Sequence, residues 1–369
     1  MGNRTTEKCV GKAVNNFISW EDGFKKEAEI RFDTDVKKLC NYGIGCLDDA
    51  LVCINRGELV IIGADSGVGK TEIALQIANH NAKLGKKVAL YHLEGGSIEA
   101  IARMKWKMIC EEYYSNHYGK HIEMDYRKWS VNCDQDKMLV DIESRVWDKY
   151  KNSYGKGLYF YDFKEDVTLT DFLASLLDFH DLKTAAGNFY SNDQRREGFD
   201  LDLIVIDHLQ YFSLEQAESE ITEITNIIRE VKKVTKNYKI PVVLISHLRK
   251  KTKDRGLPDQ QDFYGSSNIP KISDTSITIT PKINSEDFAN NIYPTWIRIV
   301  KSRVGVRSSI GMLANFDGKK KEYESHYNLY RINGDGFCSS EPLSESELPR
   351  WAKHKMKGEP VEFKNWQDK

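Results

Sequence analysis

No two cysteines in this chain are spaced as C-x-x-C. The seven that exist (Cys9, Cys40, Cys46, Cys53, Cys110, Cys133, Cys338) are scattered and odd in number. That argues against a disulfide framework and a zinc site, and for reduced thiols in a cytosolic compartment. No apolar run reaches the length of a membrane span, and the N-terminus lacks a signal-peptide core, so no membrane partner is expected. Charge of one sign is missing too: 54 Lys and Arg against 55 Asp and Glu leave a net −1. Without a global basic signal, a nucleic-acid partner must be met by a local patch. The chain is 40% hydrophobic and 30% charged over 369 residues. That supplies a real core for one large α/β domain or two smaller ones.

What is present centres on residues 58–71, Glu-Leu-Val-Ile-Ile-Gly-Ala-Asp-Ser-Gly-Val-Gly-Lys-Thr. Leu59 to Ile62 reads as a buried strand, and Ile73, Ala74, Ile77 and Ala78 repeat as one helix face. Strand, glycine-bearing turn, Gly-Lys-Thr and helix in that order make a P-loop. Its backbone N–H groups and the helix N-terminus form a nest for phosphate oxygens. The nest spans Ala64, Asp65, Ser66, Gly67, Val68, Gly69, Lys70 and Thr71. Lys70 reaches the β and γ phosphates, and Thr71 offers a hydroxyl to Mg²⁺. The first glycine of the motif is replaced by Ala64, which requires an ordinary negative φ there.

Three more apolar runs close on polar residues. Val88 to Leu93 ends at Glu94, Leu203 to Ile206 at Asp207, and Pro241 to Ser246 at His247. Ligands of open α/β sheets bind at the C-terminal strand ends. Glu94 is thus a candidate general base, or alternatively an acid complementing the helix that begins near Ser97. Asp207 behind a P-loop is the expected holder of Mg²⁺ through water. A long helix with Ile221, Ile224, Ile227, Ile228, Val231 and Val234 on one face separates the last two strands. Asp274 to Thr280 is a further strand, and Trp296 to Lys301 with Ser309 to Ala314 reads as a pair, followed by an Asp317-Gly318 hairpin turn.

The densest basic stretch holds Lys250, Lys251, Lys253 and Arg255. It leads into Gly265-Ser266-Ser267-Asn268, whose N–H groups suit a phosphate backbone, so nucleic-acid contact is expected here. Residues 1–40 place Val10, Val14, Phe17 and Ile18 on one helical face, which suits a docking arm or a frayed terminus. Residues 183–199 read as an exposed loop. The stretch beyond Asn333 shows no pattern, so 334–369 is expected to be a tail.

From about residue 40 to about residue 325 the motifs resemble the motor domain of ring-forming replicative helicases. The resemblance is to the DnaB type and, more closely, to the bacteriophage primase-helicase type. Ser246-His247-Leu248-Arg249-Lys250 resembles the phage form of the γ-phosphate sensor. Gly265 to Asp274 resembles a DNA-binding loop, although its lead-in is Asp262-Phe263-Tyr264. Lys301-Ser302-Arg303 resembles a lysine and arginine finger pair.

The resemblance implies an α/β, RecA-like P-loop NTPase core with a mainly parallel central sheet flanked by helices, as the motor domain at 41–333. It implies ATP or another NTP with Mg²⁺, Glu94 as catalytic base, Asp207 as metal-ordering acid and His247 as sensor. Arg303 with Lys301 would act on the neighbouring subunit's nucleotide. Arg249 would join Lys250, Lys251, Lys253 and Arg255 on single-stranded DNA. The expected assembly is a homo-oligomeric ring, most often a hexamer, with a separate primase or loader, in a bacterial or phage-infected cell. The alternative reading is a RecA-like DNA-dependent ATPase that does not unwind.

Overall fold

The computed structural model describes residues 19–33, 39–65, 67–116, 124–131, 137–152, 157–163, 166–185, 201–213, 219–249, 256–265, 268–282, 291–303, 305–306 and 309–353. The chain divides into two units, Met1–Leu39 and Cys40–Lys369. In the first, helix α1 (Trp20–Asp33) starts behind Ser19, whose Oγ accepts the Asp22 N–H at 3.0 Å. Trp20 and Phe24, one turn apart, set their ring centroids 6.0 Å apart. The face expected from Val10, Val14, Phe17 and Ile18 lies outside the described residues.

In the second unit α2 (Gly45–Leu51) precedes the apolar run that becomes β1 (Leu59–Ala64). The chain continues through α3 (Lys70–Lys83), β2 (Val88–His92), α4 (Gly96–Asn116), α5 (Tyr126–Ser130), α6 (Lys137–Asn152) and β3 (Leu158–Phe160). Next come α7 (Leu169–Ala185), β4 (Leu203–Asp207), α8 (Glu220–Tyr238), β5 (Val242–His247) and α9 (Ile269–Ile272). The strands β6 (Thr275–Pro281), β7 (Ile292–Ser302), β8 (Ile310–Asp317) and β9 (Glu322–Arg331) follow, then α10 (Arg350–Lys353). Nine strands form one sheet in the order β3-β2-β4-β5-β1-β6-β7-β8-β9. From β3 to β6 neighbours are parallel, and from β6 to β9 antiparallel.

The parallel strands are continuous apolar runs because both of their faces are covered. Along β1, Val60, Ile62 and Ala64 pack on the α3–α4–α6 side, while Leu59 and Ile61 pack on the α7–α8 side. Ser219 caps α8 by accepting the Thr222 N–H at 3.2 Å, and Ile224, Ile227, Ile228, Val231 and Val234 turn inward. Ile221, placed on that face by its spacing, is exposed in the first turn.

Gly63 shows how close the packing is. A Cβ there would stand 2.6 Å from Leu248 Cδ2 and 2.7 Å from Phe263 Cε1. Gly63→Ala is therefore expected to cost about 1–3 kcal/mol through overpacking. Urea unfolding reads this directly. An unchanged midpoint would mean that both side chains move aside freely.

A strand, β9, returns from the Asp317-Gly318 turn as a hairpin requires. Two segments differ from expectation, the first being residues 334–353, which continue the packed unit past Asn333. Leu343 N–H donates to Leu329 O at 2.7 Å, Leu257 N–H to Gly336 O at 2.7 Å, and Leu348 and Ala352 join the core. The 183–199 loop begins later than expected, since α7 runs to Ala185. Its remainder lies outside the described residues.

Candidate functional site

The turn after β1 is built by two glycines in the left-handed region, Gly67 at φ +86° and Gly69 at φ +77°. Side chains strain that conformation, whereas glycine adopts it freely. Ala64 keeps ordinary strand geometry as the last residue of β1, paired to both β5 and β6. Asp65 is tied to β6: its N–H donates to Ile279 O at 3.3 Å, and its Oδ2 accepts the Thr280 hydroxyl at 2.5 Å. Ser66 lies outside the described residues.

Beyond Gly69 the chain enters α3 at Lys70, so the free N–H groups of a helix start face the turn. Tyr323 braces the turn from behind, its hydroxyl donating to Val68 O at 3.3 Å. Gln76 of α3 locks the helix to β9, accepting the Tyr323 N–H at 2.7 Å and donating to Tyr323 O at 3.2 Å. A cleft of about 1410 Å³ opens in front, lined by the turn, Lys70, Thr71, Glu94, Arg103, Tyr293 and Phe316 among others. Across it, Arg103 donates to Glu72 Oε1 at 2.9 Å and to Glu99 Oε1 at 2.7 Å.

The strand order puts the C-terminal ends of β2, β4, β5 and β1 side by side. Lys70 Nζ donates to His247 Nδ1 at 3.1 Å and to Asp65 O at 3.5 Å. An ammonium cannot accept, so Nδ1 of His247 is unprotonated here. Burial lowers the Lys70 ammonium, against the pull of Glu94 and Asp207. Burial, then the Lys70 charge, lowers the His247 imidazole. Gln210 clamps this edge: its Oε1 accepts the His247 N–H at 3.2 Å and its Nε2 donates to Ser246 Oγ at 3.0 Å. His208 stacks edge-on against His247, centroids 4.3 Å apart. Burial pushes it down to about 4, so it is neutral near pH 7.

Asp207 is fully buried, and its Oδ1 has no hydrogen-bond partner. Glu94 leaves the edge on the turn before α4 with about half of its side chain exposed, its Oε2 lying 3.6 Å from His208 Nε2. Its carboxylate pushes the Tyr211 phenol above the ordinary value. Thus Lys70, Thr71, Glu94, Asp207 and His247 are brought to one edge. Mg²⁺ binds through one or two protein groups together with substrate phosphates. The unpartnered Oδ1 of Asp207 fits that requirement.

Lys301 and Arg303 lie elsewhere. The register pairs Ser302 with Thr275, and Thr275 with Val60, near the start of β1 rather than its end. Arg303 Nε sits 3.1 Å from Asp274 Oδ1, while Asp274 Oδ2 accepts the Leu59 N–H at 2.8 Å and pairs with Lys232. Lys301 Nζ donates to the carbonyls of Pro270, Lys271 and Ser273, closing the end of α9. Val60 stands four residues before Ala64 and a strand rises about 3.3 Å per residue, so roughly 13 Å of β1 lie between the level of Ser302 and the P-loop turn.

Of the expected nucleic-acid residues, Arg249, Gly265 and Asn268 are described. Lys250, Lys251, Lys253, Arg255, Ser266 and Ser267 lie outside the described residues. The segment folds back on itself: Arg249 N–H donates to Asp262 O at 2.7 Å, and Tyr264 N–H to His247 O at 2.9 Å. Arg249 is exposed, and Gly265 lies against Ile224 of α8, where a Cβ would come within 2.5 Å of Cδ1. Arg249 and Phe263–Tyr264 therefore lie beside His247 at this edge.

Sequence reasoning missed the clamps Gln76 and Gln210, Arg103, and His92, which touches Asp207. Gln210 closes the Leu203–Gln210 motif, and His92 stands two residues before Glu94. Both were within sight of residues already singled out.

A family model of the DnaB-like helicase C-terminal domain matches residues 40–149 and 177–325. A probable plasmid replicative DNA helicase of Chlamydia psittaci is 27% identical over 292 residues, 74% of this chain and 56% of the relative. The replicative DNA helicase DnaC of Bacillus subtilis is 24% identical over 294 residues, 77% of this chain and 55% of the relative. The chain thus spans about half the length of the curated relatives it matches. Among solved structures, one described as an ATPase domain superposes with a TM-score of 0.63 at 19% identity, covering 84% of this chain and 99% of that one. A DnaB-like replicative helicase, studied with its interactions with primase, gives 0.62 at 19%, covering 84% and 67%. The fold is the RecA-like fold of those domains, and, with well over half of its residues matched, the chain belongs to the DnaB-like helicase C-terminal domain family.

Proposed function

We propose that this chain is the ATP-hydrolysing motor of a DNA helicase that runs on single-stranded DNA as a ring, most often of six subunits. The observation that carries the reading is the split of the catalytic set between the two ends of one sheet. Lys70, Thr71, Glu94, Asp207 and His247 surround the P-loop turn, while Lys301 and Arg303 sit at the far end of the strands. Each subunit thereby offers a nucleotide cradle at one end and a cationic finger at the other.

In this reading the Gly67–Thr71 N–H groups bind the phosphates and Lys70 exchanges His247 Nδ1 for a phosphate oxygen. Thr71 Oγ1, and Asp207 Oδ1 through water, would hold Mg²⁺, which would supply neutralisation of the charge gathering on the phosphate oxygens. Glu94 takes the proton of the attacking water. His247, fixed by Gln210, senses the terminal phosphate and passes its state to Arg249 and the basic run. Arg249, Lys250, Lys251, Lys253, Arg255 and the Gly265–Asn268 turn contact the DNA backbone. A separate primase or loader is the expected protein partner, and the translocation sense follows the family, 5′→3′.

The test is steady-state ATP hydrolysis with and without single-stranded DNA at two salt concentrations. Phosphate contacts release counterions, so stimulation should be strong at low salt and fade as salt rises. Robust hydrolysis indifferent to DNA would remove the helicase reading and leave an ATPase that answers to another partner.

A further inference from the structure

One buried histidine has no part in the roles above. His92 is the last residue of β2, and the parallel register sets it beside Asp207, the last residue of β4. Both side chains are sealed from solvent, 3% and 1% exposed. His92 Nδ1 lies 3.0 Å from Asp207 Oδ2. A carboxylate oxygen accepts, so in this contact Nδ1 of His92 is the donor. Nε2 has no hydrogen-bond partner, and neither has Asp207 Oδ1.

The two oxygens of Asp207 are thereby made unequal: Oδ2 is tied to a fixed donor and Oδ1 is left available. Gly95 lies against both the Glu99 carboxylate and the ring: a Cβ there would stand 2.1 Å from Glu99 Oε2 and 2.8 Å from His92 Nε2. The demand for glycine there is spatial, because Gly95 has no left-handed φ. The same residue follows Glu94, so the ring touches both the proposed acid and the turn that carries the proposed base.

We propose that His92 is a positioning residue for Asp207: it holds the carboxylate by Oδ2 so that a single oxygen, Oδ1, serves a divalent cation. The proposal rests on the reading of Asp207 as the metal-ordering acid. Mg²⁺ demands near-ideal octahedral geometry, so a carboxylate that swings serves it badly even where it acts through a bound water. The residue that hydrogen-bonds a ligating group typically carries 10- to 100-fold in metal affinity.

The test measures Mn²⁺ affinity by the paramagnetic resonance of free Mn²⁺, with a non-hydrolysable ATP analogue bound to the full chain. His92→Leu removes the donor at nearly constant volume. His92→Asn puts an amide N–H two bonds from Cβ, where Nδ1 was. The leucine variant should bind Mn²⁺ about 10- to 100-fold more weakly. The asparagine variant should stay close to the parent, and analogue binding in chelator should be the same in both.

A leucine variant with parental Mn²⁺ affinity, alongside an Asp207→Asn variant that has lost it, overturns the role of His92. An asparagine variant as weak as the leucine one assigns the effect to packing and overturns it equally. Full affinity in Asp207→Asn instead removes the reading of Asp207 itself. Should the leucine variant not fold, the wild-type tautomer decides: long-range ¹H–¹⁵N correlation should show His92 protonated at Nδ1, and protonation at Nε2 alone overturns the proposal.

Discussion

Lys70→Ala is expected to abolish nucleotide hydrolysis while leaving the fold intact. Among the described residues the Lys70 ammonium contacts His247 Nδ1 at 3.1 Å and Asp65 O at 3.5 Å. Both sit at the half-open edge of the sheet, where water replaces a lost donor, so removal should cost stability on the order of 1 kcal/mol. The kinetic loss is of another size. A fixed charge aimed at the phosphates in a site that excludes bulk water stabilises the transition state more than the ground state. Losing it should cost about 10³-fold or more, some 4 kcal/mol of barrier. Phosphate release measured beside a thermal melt separates the two effects. Turnover within tenfold of the parent, with an unchanged melt, would sink the P-loop assignment.

Arg303→Ala should be comparably severe, for a reason located in another subunit. An arginine finger acting in trans is worth about 10³–10⁵ in turnover. At its own end of the sheet the exposed Arg303 guanidinium pairs with the buried carboxylate of Asp274. Asp274 keeps Lys232 and the Leu59 N–H when Arg303 is gone. The variant should therefore fold and bind nucleotide with parental affinity yet fail to hydrolyse it. Mixed with Glu94→Gln subunits it should regain activity, because an interface pairing a wild-type Glu94 with a wild-type Arg303 is whole. If mixed assemblies form and remain silent, the finger does not act in trans.

Much of this site could be read before any coordinates. The strands β2, β4 and β5 are apolar runs buried along their length, so their ends are visible as the points where hydrophobicity stops, and Glu94, Asp207 and His247 stand at or just past those ends. β9 was not visible, because Glu-Tyr-Glu-Ser-His-Tyr-Asn-Leu-Tyr-Arg buries only Tyr323 and Leu329 and shows no sustained alternation. The 334–353 segment packs through Leu343, Leu348 and Ala352, too sparsely spaced for any period.

His92 illustrates a different limit. Its importance depends on which residue of β4 stands opposite, and register between strands more than a hundred residues apart is a property of the folded sheet. The tether of Lys301 is of the same kind, since three carbonyls some thirty residues away form it.

The length of β1 between the P-loop turn and Arg303 has an arithmetic consequence. On the proposed reading each subunit carries two complementary half-sites that it cannot join by itself, so a lone subunit would have no complete catalytic centre. An open row of n subunits has n − 1, and the row gains its last one only by closing on itself. Activity per subunit should therefore rise with concentration faster than binding alone dictates, then level off once rings are closed. A single poisoned subunit inserted into a ring would silence one junction through its missing cradle or one through its missing finger, depending on which end is damaged.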